Sequence, residues 1–290
     1  MSVLSSIEQV AVVGAGTMGS GIAQVFAQAG YSVVLIDILP AQLERGLATI
    51  ARATQRQVER GRLTEGGRQE LLARIRTGQE IGDAAQAQLV VEAIVEQLET
   101  KLQVLTTLDN TCPPETILTT NTSSLSITQL AAATKRPAQV IGMHFINPAP
   151  VMKLVEVIRG LATSDRVHAT VCDVVRSLDK TPVTVKDAPG FVLNRLLIPM
   201  LNEAAYLLME GVASAAEIDT VMRLGANHPM GPLALADLIG LDTCLAIMQV
   251  LHRELGDDKY RPCPLLRQMV AAGYLGRKSG RGFYRYDDGN

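Results

Sequence analysis

The stretch from Val10 to Asp37 constrains the fold more than any other. An apolar run, Val10 to Val13, meets Gly14-Ala15-Gly16-Thr17-Met18-Gly19; a helix-like stretch follows from Ser20 to Ala29, and a second apolar run, Ser32 to Ile36, ends in Asp37. This reads as a strand, a tight turn, a helix and a second strand that delivers the acid. Gly14 allows the turn, Gly16 lets backbone approach a pyrophosphate, and Gly19 lets helix and strand pack closely. Thr17 and Met18 complete the cofactor-binding turn, and the exposed amides at the helix start meet the phosphate charge. Asp37 lies 21 residues after Gly16, matching the roughly 20-residue offset of a carboxylate that accepts hydrogen bonds from an adenosine ribose. Glycine-rich turns alone are common, but here the whole strand-helix-strand context accompanies the motif. No Arg or Lys follows Asp37 until Arg45, so a 2′-phosphate would meet a carboxylate without an adjacent cation, and NAD is favoured over NADP.

A chain of 290 residues has room for about two domains. Lys and Arg number 27 against 29 Asp and Glu, which gives no broad electrostatic footprint for nucleic acid or an anionic membrane surface. A small-molecule partner is expected. Met1 to Gln9 has neither a basic segment nor an apolar core of signal-peptide length, and no apolar run is long enough to cross a bilayer, so a cytoplasmic protein is expected. Cys112, Cys172, Cys244 and Cys263 are scattered without a CxxC pair or a His at ligand spacing, so neither a disulfide framework nor a metal site is expected.

Along the chain, Leu43 to Arg60 and Thr64 to Ile75 read as helices. Arg52, Arg56 and Arg60 fall four residues apart, which stacks three guanidinium groups on one helix face. Such a stripe is either a solvated face or a cradle for the phosphates of a long anionic substrate. Gln88 to Ile94 is apolar on both sides of the alternation, as expected of an inner parallel strand; Gln97 to Leu108 follows as a helix and Ile117 to Thr120 as a strand. The alternation predicts an α/β fold with a doubly wound sheet, in which ligands lie beyond the carboxyl ends of the strands. Asn121-Thr122-Ser123-Ser124 lies just past one such end.

Gln139 to Phe145 and Met152 to Ile158 are further extended runs flanking Asn147-Pro148-Ala149-Pro150. If the chain reverses about Pro150, His144 and Glu156, six residues to either side, face each other across a hairpin. A carboxylate partner holds an imidazole in one tautomer and raises its basicity. Ser164 to Leu178 reads as a helix and Pro182 to Val185 as a last strand, after which Asp187-Ala188-Pro189-Gly190 breaks the pattern. The expected domains are therefore residues 1–186 and an all-helical 187–290. Helices are expected over Phe191 to Glu210, disturbed at Pro199, and over Ala215 to Arg223, Ala234 to Leu255 and Pro264 to Ala272. The apolar load of this part makes packing against a second copy plausible.

The runs VAVVGAGTMGSGIAQ, LVVEAIVE, TNTSSL, GMHFINPAPVMKLVEVI, DAPGFVLNRLL, LGANHPMGPLALADLIGLD and GRKSGRGFY, in this order, resemble the 3-hydroxyacyl-CoA dehydrogenases, most closely their short bacterial 3-hydroxybutyryl-CoA branch. The resemblance covers essentially the whole chain. It implies a Rossmann-type NAD-binding domain, a helical substrate and dimerisation domain, and oxidation of an acyl-CoA 3-hydroxyl to the ketone, or the reverse. It makes His144 the general base or acid, Glu156 its partner, Ser123 a contact to the reacting oxygen, and Asn194 the contribution of the helical domain. Cofactor contacts carry over to Asp37, Glu96, Lys101, Asn121, Asn147 and Lys278, beside the glycine motif. Where the family often carries lysines near the CoA nucleotide, this chain has Arg56, Gln57, Glu59 and Arg60, so Arg56 and Arg60 are the candidates for the CoA phosphates. Asn194 argues against the related β-hydroxyacid dehydrogenases, which carry a Lys at that place and act on free acids. The competing readings are a longer or dicarboxylic 3-hydroxyacyl-CoA as substrate, and a non-catalytic, crystallin-like NAD-binding protein.

Overall fold

The computed structural model describes residues 7–286. In chain order the first unit contains β1 (Gln9–Val13), α1 (Thr17–Gln28), β2 (Ser32–Ile36), α2 (Pro40–Glu59), α3 (Glu65–Ala73), β3 (Ile75–Gly78), β4 (Leu89–Glu92), α4 (Leu98–Thr111), β5 (Ile117–Thr120), α5 (Ile127–Ala132), β6 (Val140–Phe145), β7 (Leu154–Arg159), α6 (Asp165–Ser177) and β8 (Thr181–Lys186). The eight strands form one sheet in the order β3-β2-β1-β4-β5-β6-β7-β8. Every neighbouring pair is parallel except β6 and β7, which are antiparallel. Strand order reverses its direction of growth between β1 and β4, which opens the crevice where such sheets take ligands. Both faces of the sheet are covered. Val10, Val12, Val33, Leu35 and Val91 point into one core, while Ala11, Val13, Val34, Ile36 and Val90 point into the other.

β3 was not expected: the sequence reads as helix through Ile75, but α3 stops at Ala73 and Ile75 pairs with Val33 at the sheet edge. With only Ile75 and Gly78 withdrawn from solvent, the strand lacks the apolar run that announces an inner one.

The second unit begins at Pro189. It comprises α7 (Leu193–Met209), α8 (Ala215–Gly225), α9 (Pro232–Ile239), α10 (Leu241–Leu255) and α11 (Pro264–Ala271). Its core gathers Ile198, Leu201, Ala205, Met248 and Leu251. Pro199 lies inside α7, which continues through it. The single helix expected over Ala234 to Leu255 is instead two, bent by 96° at Gly240, whose φ of +104° an L side chain adopts only under strain. Among the described residues no single helix is long and apolar enough to cross a membrane.

Candidate active site and cofactor crevice

The turn between β1 and α1 is built as its sequence requires. A Cβ on Gly19 would collide with the Gly14 carbonyl oxygen and touch Val12, so helix and strand pack only because that atom is missing. α1 has no side-chain cap on its first-turn amides, and around Gly16 there is open space. Thr17 and Met18 open the helix at this point. These residues fit a dinucleotide pyrophosphate. At the end of β2, Asp37 accepts hydrogen bonds from the backbone N–H groups of Ala15 (2.8 Å) and Leu39 (3.0 Å), and so fixes the glycine turn.

At the ends of β4 and β5 the carboxylates form a network that the sequence did not announce. Glu92, fully buried, accepts from the Thr120 hydroxyl (2.7 Å), the Ile94 amide (2.8 Å) and the Lys101 ammonium (2.7 Å). Lys101 is 1% exposed and reaches Glu96 at 3.4 Å, so in this arrangement its ammonium holds two carboxylates rather than facing open solvent. Glu96 in turn accepts from the Thr122 hydroxyl (2.6 Å) and from the backbone amides of Ser123 (2.9 Å) and Ser124 (3.2 Å). Burial alone would raise the Glu96 carboxyl, but Lys101 and these hydrogen bonds outweigh it and hold it below the usual range. Asn121 accepts from the Phe145 amide at 2.8 Å and so ties the Ser123 loop to the end of β6.

In the antiparallel register of β6 and β7, His144 stands directly opposite Glu156. Nδ1 of the imidazole lies 2.8 Å from Glu156 Oε2, with both side chains buried. The hairpin places the pair at the same end of the sheet as Ser123, because β6 runs parallel to β5. Asn147 follows in the loop between the two strands.

That loop, α1 and α2 enclose a cavity of about 360 Å³, lined among others by Thr17, Gln24, Arg56, Arg60, Arg62 and Asn147. Arg56 and Arg60 are thus brought to a ligand-sized space, whereas Arg52 turns to Thr49 on its own helix. Arg62 and the buried Gln24 had no signal of their own in the sequence. Asn194 is buried in the first turn of α7, and Lys278 pairs with Asp242; both belong to the second unit.

A doubly wound sheet with uncapped helix amides at its switch point and a His–carboxylate pair at its strand ends defines a nucleotide-dependent oxidoreductase. Comparison with known proteins narrows the class. The family of the 3-hydroxyacyl-CoA dehydrogenase NAD binding domain matches residues 9–188, and that of the 3-hydroxyacyl-CoA dehydrogenase C-terminal domain matches residues 190–286. A probable 3-hydroxybutyryl-CoA dehydrogenase of Bacillus subtilis is 56% identical over 282 residues, covering 97% of this chain and 98% of the relative. The crystal structure of (S)-3-hydroxybutyryl-CoA dehydrogenase PaaH1 from Ralstonia eutropha superimposes with a TM-score of 0.94 at 52% identity, over 97% of this chain and all of that one. A 3-hydroxyadipyl-CoA dehydrogenase of Escherichia coli is 44% identical over 96% of this chain, which spans 59% of that protein. The chain belongs to the 3-hydroxyacyl-CoA dehydrogenase family, and its cofactor is NAD.

Proposed function

We propose that this protein interconverts (S)-3-hydroxybutyryl-CoA and acetoacetyl-CoA, as a cytoplasmic homodimer, with His144 as the base. The observation that carries the proton-transfer part is the buried His144–Glu156 pair at 2.8 Å. With Nδ1 engaged by Glu156, Nε2 is the ring nitrogen that takes the proton of the 3-hydroxyl as the C3–H bond breaks and the carbonyl forms. Glu156 stabilises the imidazolium that results, and in the reverse direction the same proton returns to the oxygen. NAD, when bound, supplies the acceptor for the hydride leaving C3. Ser123, held by Glu96, binds the substrate oxygen as hydroxyl or as ketone, since a hydroxyl both donates and accepts. Asn194 completes the substrate contacts, and Asp37, Glu96, Asn121, Asn147 and Lys278 serve the cofactor, with Lys101 fixing Glu96. Arg56 and Arg60 take the CoA phosphates, a role favoured by their place on the cavity wall.

The butyryl chain is supported by the names of the Bacillus and Ralstonia relatives. The Escherichia coli relative makes a dicarboxylic acyl chain the second reading. NADH consumption is the direct test, with acetoacetyl-CoA, a 3-ketoadipyl-CoA and free acetoacetate in parallel. Turnover with acetoacetyl-CoA and none with the free acid is expected. Preference for the dicarboxylic thioester would reassign the substrate, and inactivity towards every thioester while NADH still binds would leave the crystallin-like reading.

A further inference from the structure

Lys180 is a buried cation that none of the roles above uses. It lies just before β8, is 8% exposed, and its Nζ donates to the backbone carbonyls of Ala149 and Met152, each at 2.7 Å. Its neighbour in sequence, Asp179, is engaged by the exposed Lys153. Burial pushes the Lys180 ammonium below its ordinary range; Lys153 lowers it further, against the opposing pull of Asp179. Withdrawing an ammonium from water is costly unless hydrogen bonds replace its hydration, and here the two loop carbonyls supply them.

Both carbonyls belong to the 146–153 loop that joins β6 to β7. This loop curls on itself, with the amides of Val151 and Met152 both donating to the Pro148 carbonyl at 2.9 and 3.1 Å. It packs against α1 so closely that a Cβ on Gly21 would stand 3.2 Å from Pro150 and 3.4 Å from Ala149. The same loop carries Asn147 and supplies Ala149, Pro150 and Val151 to the cavity that Arg56 and Arg60 line.

We propose that Lys180 is a positioning residue of this enzyme: by clamping two carbonyls of the 146–153 loop, it sets Asn147 and the Ala149–Val151 wall where cofactor and thioester bind. It acts on ligand binding and not on proton transfer, because its contacts are to the loop and not to His144. The inference rests on the assignment of this cavity and Asn147 to the ligands.

Lys180→Met keeps the length of the side chain and removes the donors. The KM values for NADH and acetoacetyl-CoA should each rise about tenfold, less than the full effect of the two charge-assisted hydrogen bonds lost, with kcat at saturation within about twofold. Parent KM values in a folded variant, or a fall in kcat with KM unmoved, would overturn the proposal; a residue that merely stabilises the fold lowers the melting temperature and the active fraction without moving KM. If Lys180→Met does not fold, Lys180→Arg decides. Its wide planar head cannot converge on two carbonyls set for a point ammonium, so the same rise in KM is expected, and parent values would refute the clamp. Asn147→Ala and Arg56→Ala run alongside separate the two layers of the argument. If they too leave KM unchanged, the site assignment has failed; if they raise it while the Lys180 variants do not, only the clamp has.

Discussion

Glu156→Gln preserves nearly every contact of the parent and removes one charge. The amide oxygen can still accept from Nδ1, so the imidazole keeps its tautomer and position, but the imidazolium formed during oxidation loses its counter-charge. We expect kcat to fall about a hundredfold, within the range of general acid–base contributions, while NADH affinity by fluorescence titration stays within about twofold. An unchanged kcat would remove Glu156 from the proton transfer. The partnership of His144 and Glu156 was legible because one turn at a known place fixes a hairpin register, and register fixes which side chains meet. The surroundings of Ser123 were not. Glu92, Lys101 and Glu96 come from β4 and the segment after it, and their convergence on Thr120, Thr122 and Ser123 depends on β4 and β5 lying side by side, which no local pattern encodes.

At the scale of elements, Phe283, Tyr284 and Tyr286 are fastened to the helix pair that the sequence suggested was one helix. Asp237 of α9 is fully buried and accepts from the Phe283 amide (2.9 Å), the Tyr284 amide (2.9 Å) and the Tyr286 hydroxyl (3.0 Å). Asp219 of α8 accepts from the Leu233 and Ala234 amides that open α9 and from the Tyr284 hydroxyl (2.8 Å). A Cβ on Gly276 or Gly282 would collide with Asp237, which explains two of the three glycines of GRKSGRGFY; the third, Gly280, has a φ of +71°. The run was visible in the sequence, but its target was hidden, because Asp237 reads there as one more helical acid. Burial raises the Asp237 carboxyl, and Asp219 adds to it, against the hydrogen bonds from Tyr284, Phe283 and Tyr286. A carboxyl raised in the folded state contributes stability that is full below its unfolded value and is lost as pH rises through its folded value. Asp237→Asn turns one acceptor into a donor facing donors, a buried mismatch expected to cost about 1–3 kcal/mol. That cost should be largest near about pH 4 and shrink towards about pH 8, because only the parent carries the titrating group. Urea unfolding at both values measures it, and a penalty that grows with pH would contradict the assignment.

At the scale of the whole molecule, each of the two units has its own core, and the alternation of strands and helices followed by helices alone made that division legible. What one chain's sequence shows less directly is which apolar residues its own fold leaves uncovered. In the helical unit α7 exposes Leu196 (71%), and α8 exposes Val221 (66%) and Leu224 (80%). Val221 and Leu224, three residues apart on one helix, share a face. Both units leave large apolar side chains exposed; we propose that those of the helical unit meet a second copy of this chain, the simplest occupant, since most oligomers are symmetric. Sedimentation equilibrium should therefore give twice the 31.1 kDa of the chain. Leu196→Glu combined with Leu224→Glu places two charges where water must be excluded, and is expected to shift the protein to the mass of a single chain with its far-UV circular dichroism unchanged. Because both positions are exposed in the isolated chain, the substitutions remove no core contact, so a loss of folded signal would not follow from the monomer alone. A dimer that survives both charges would place the interface on another surface.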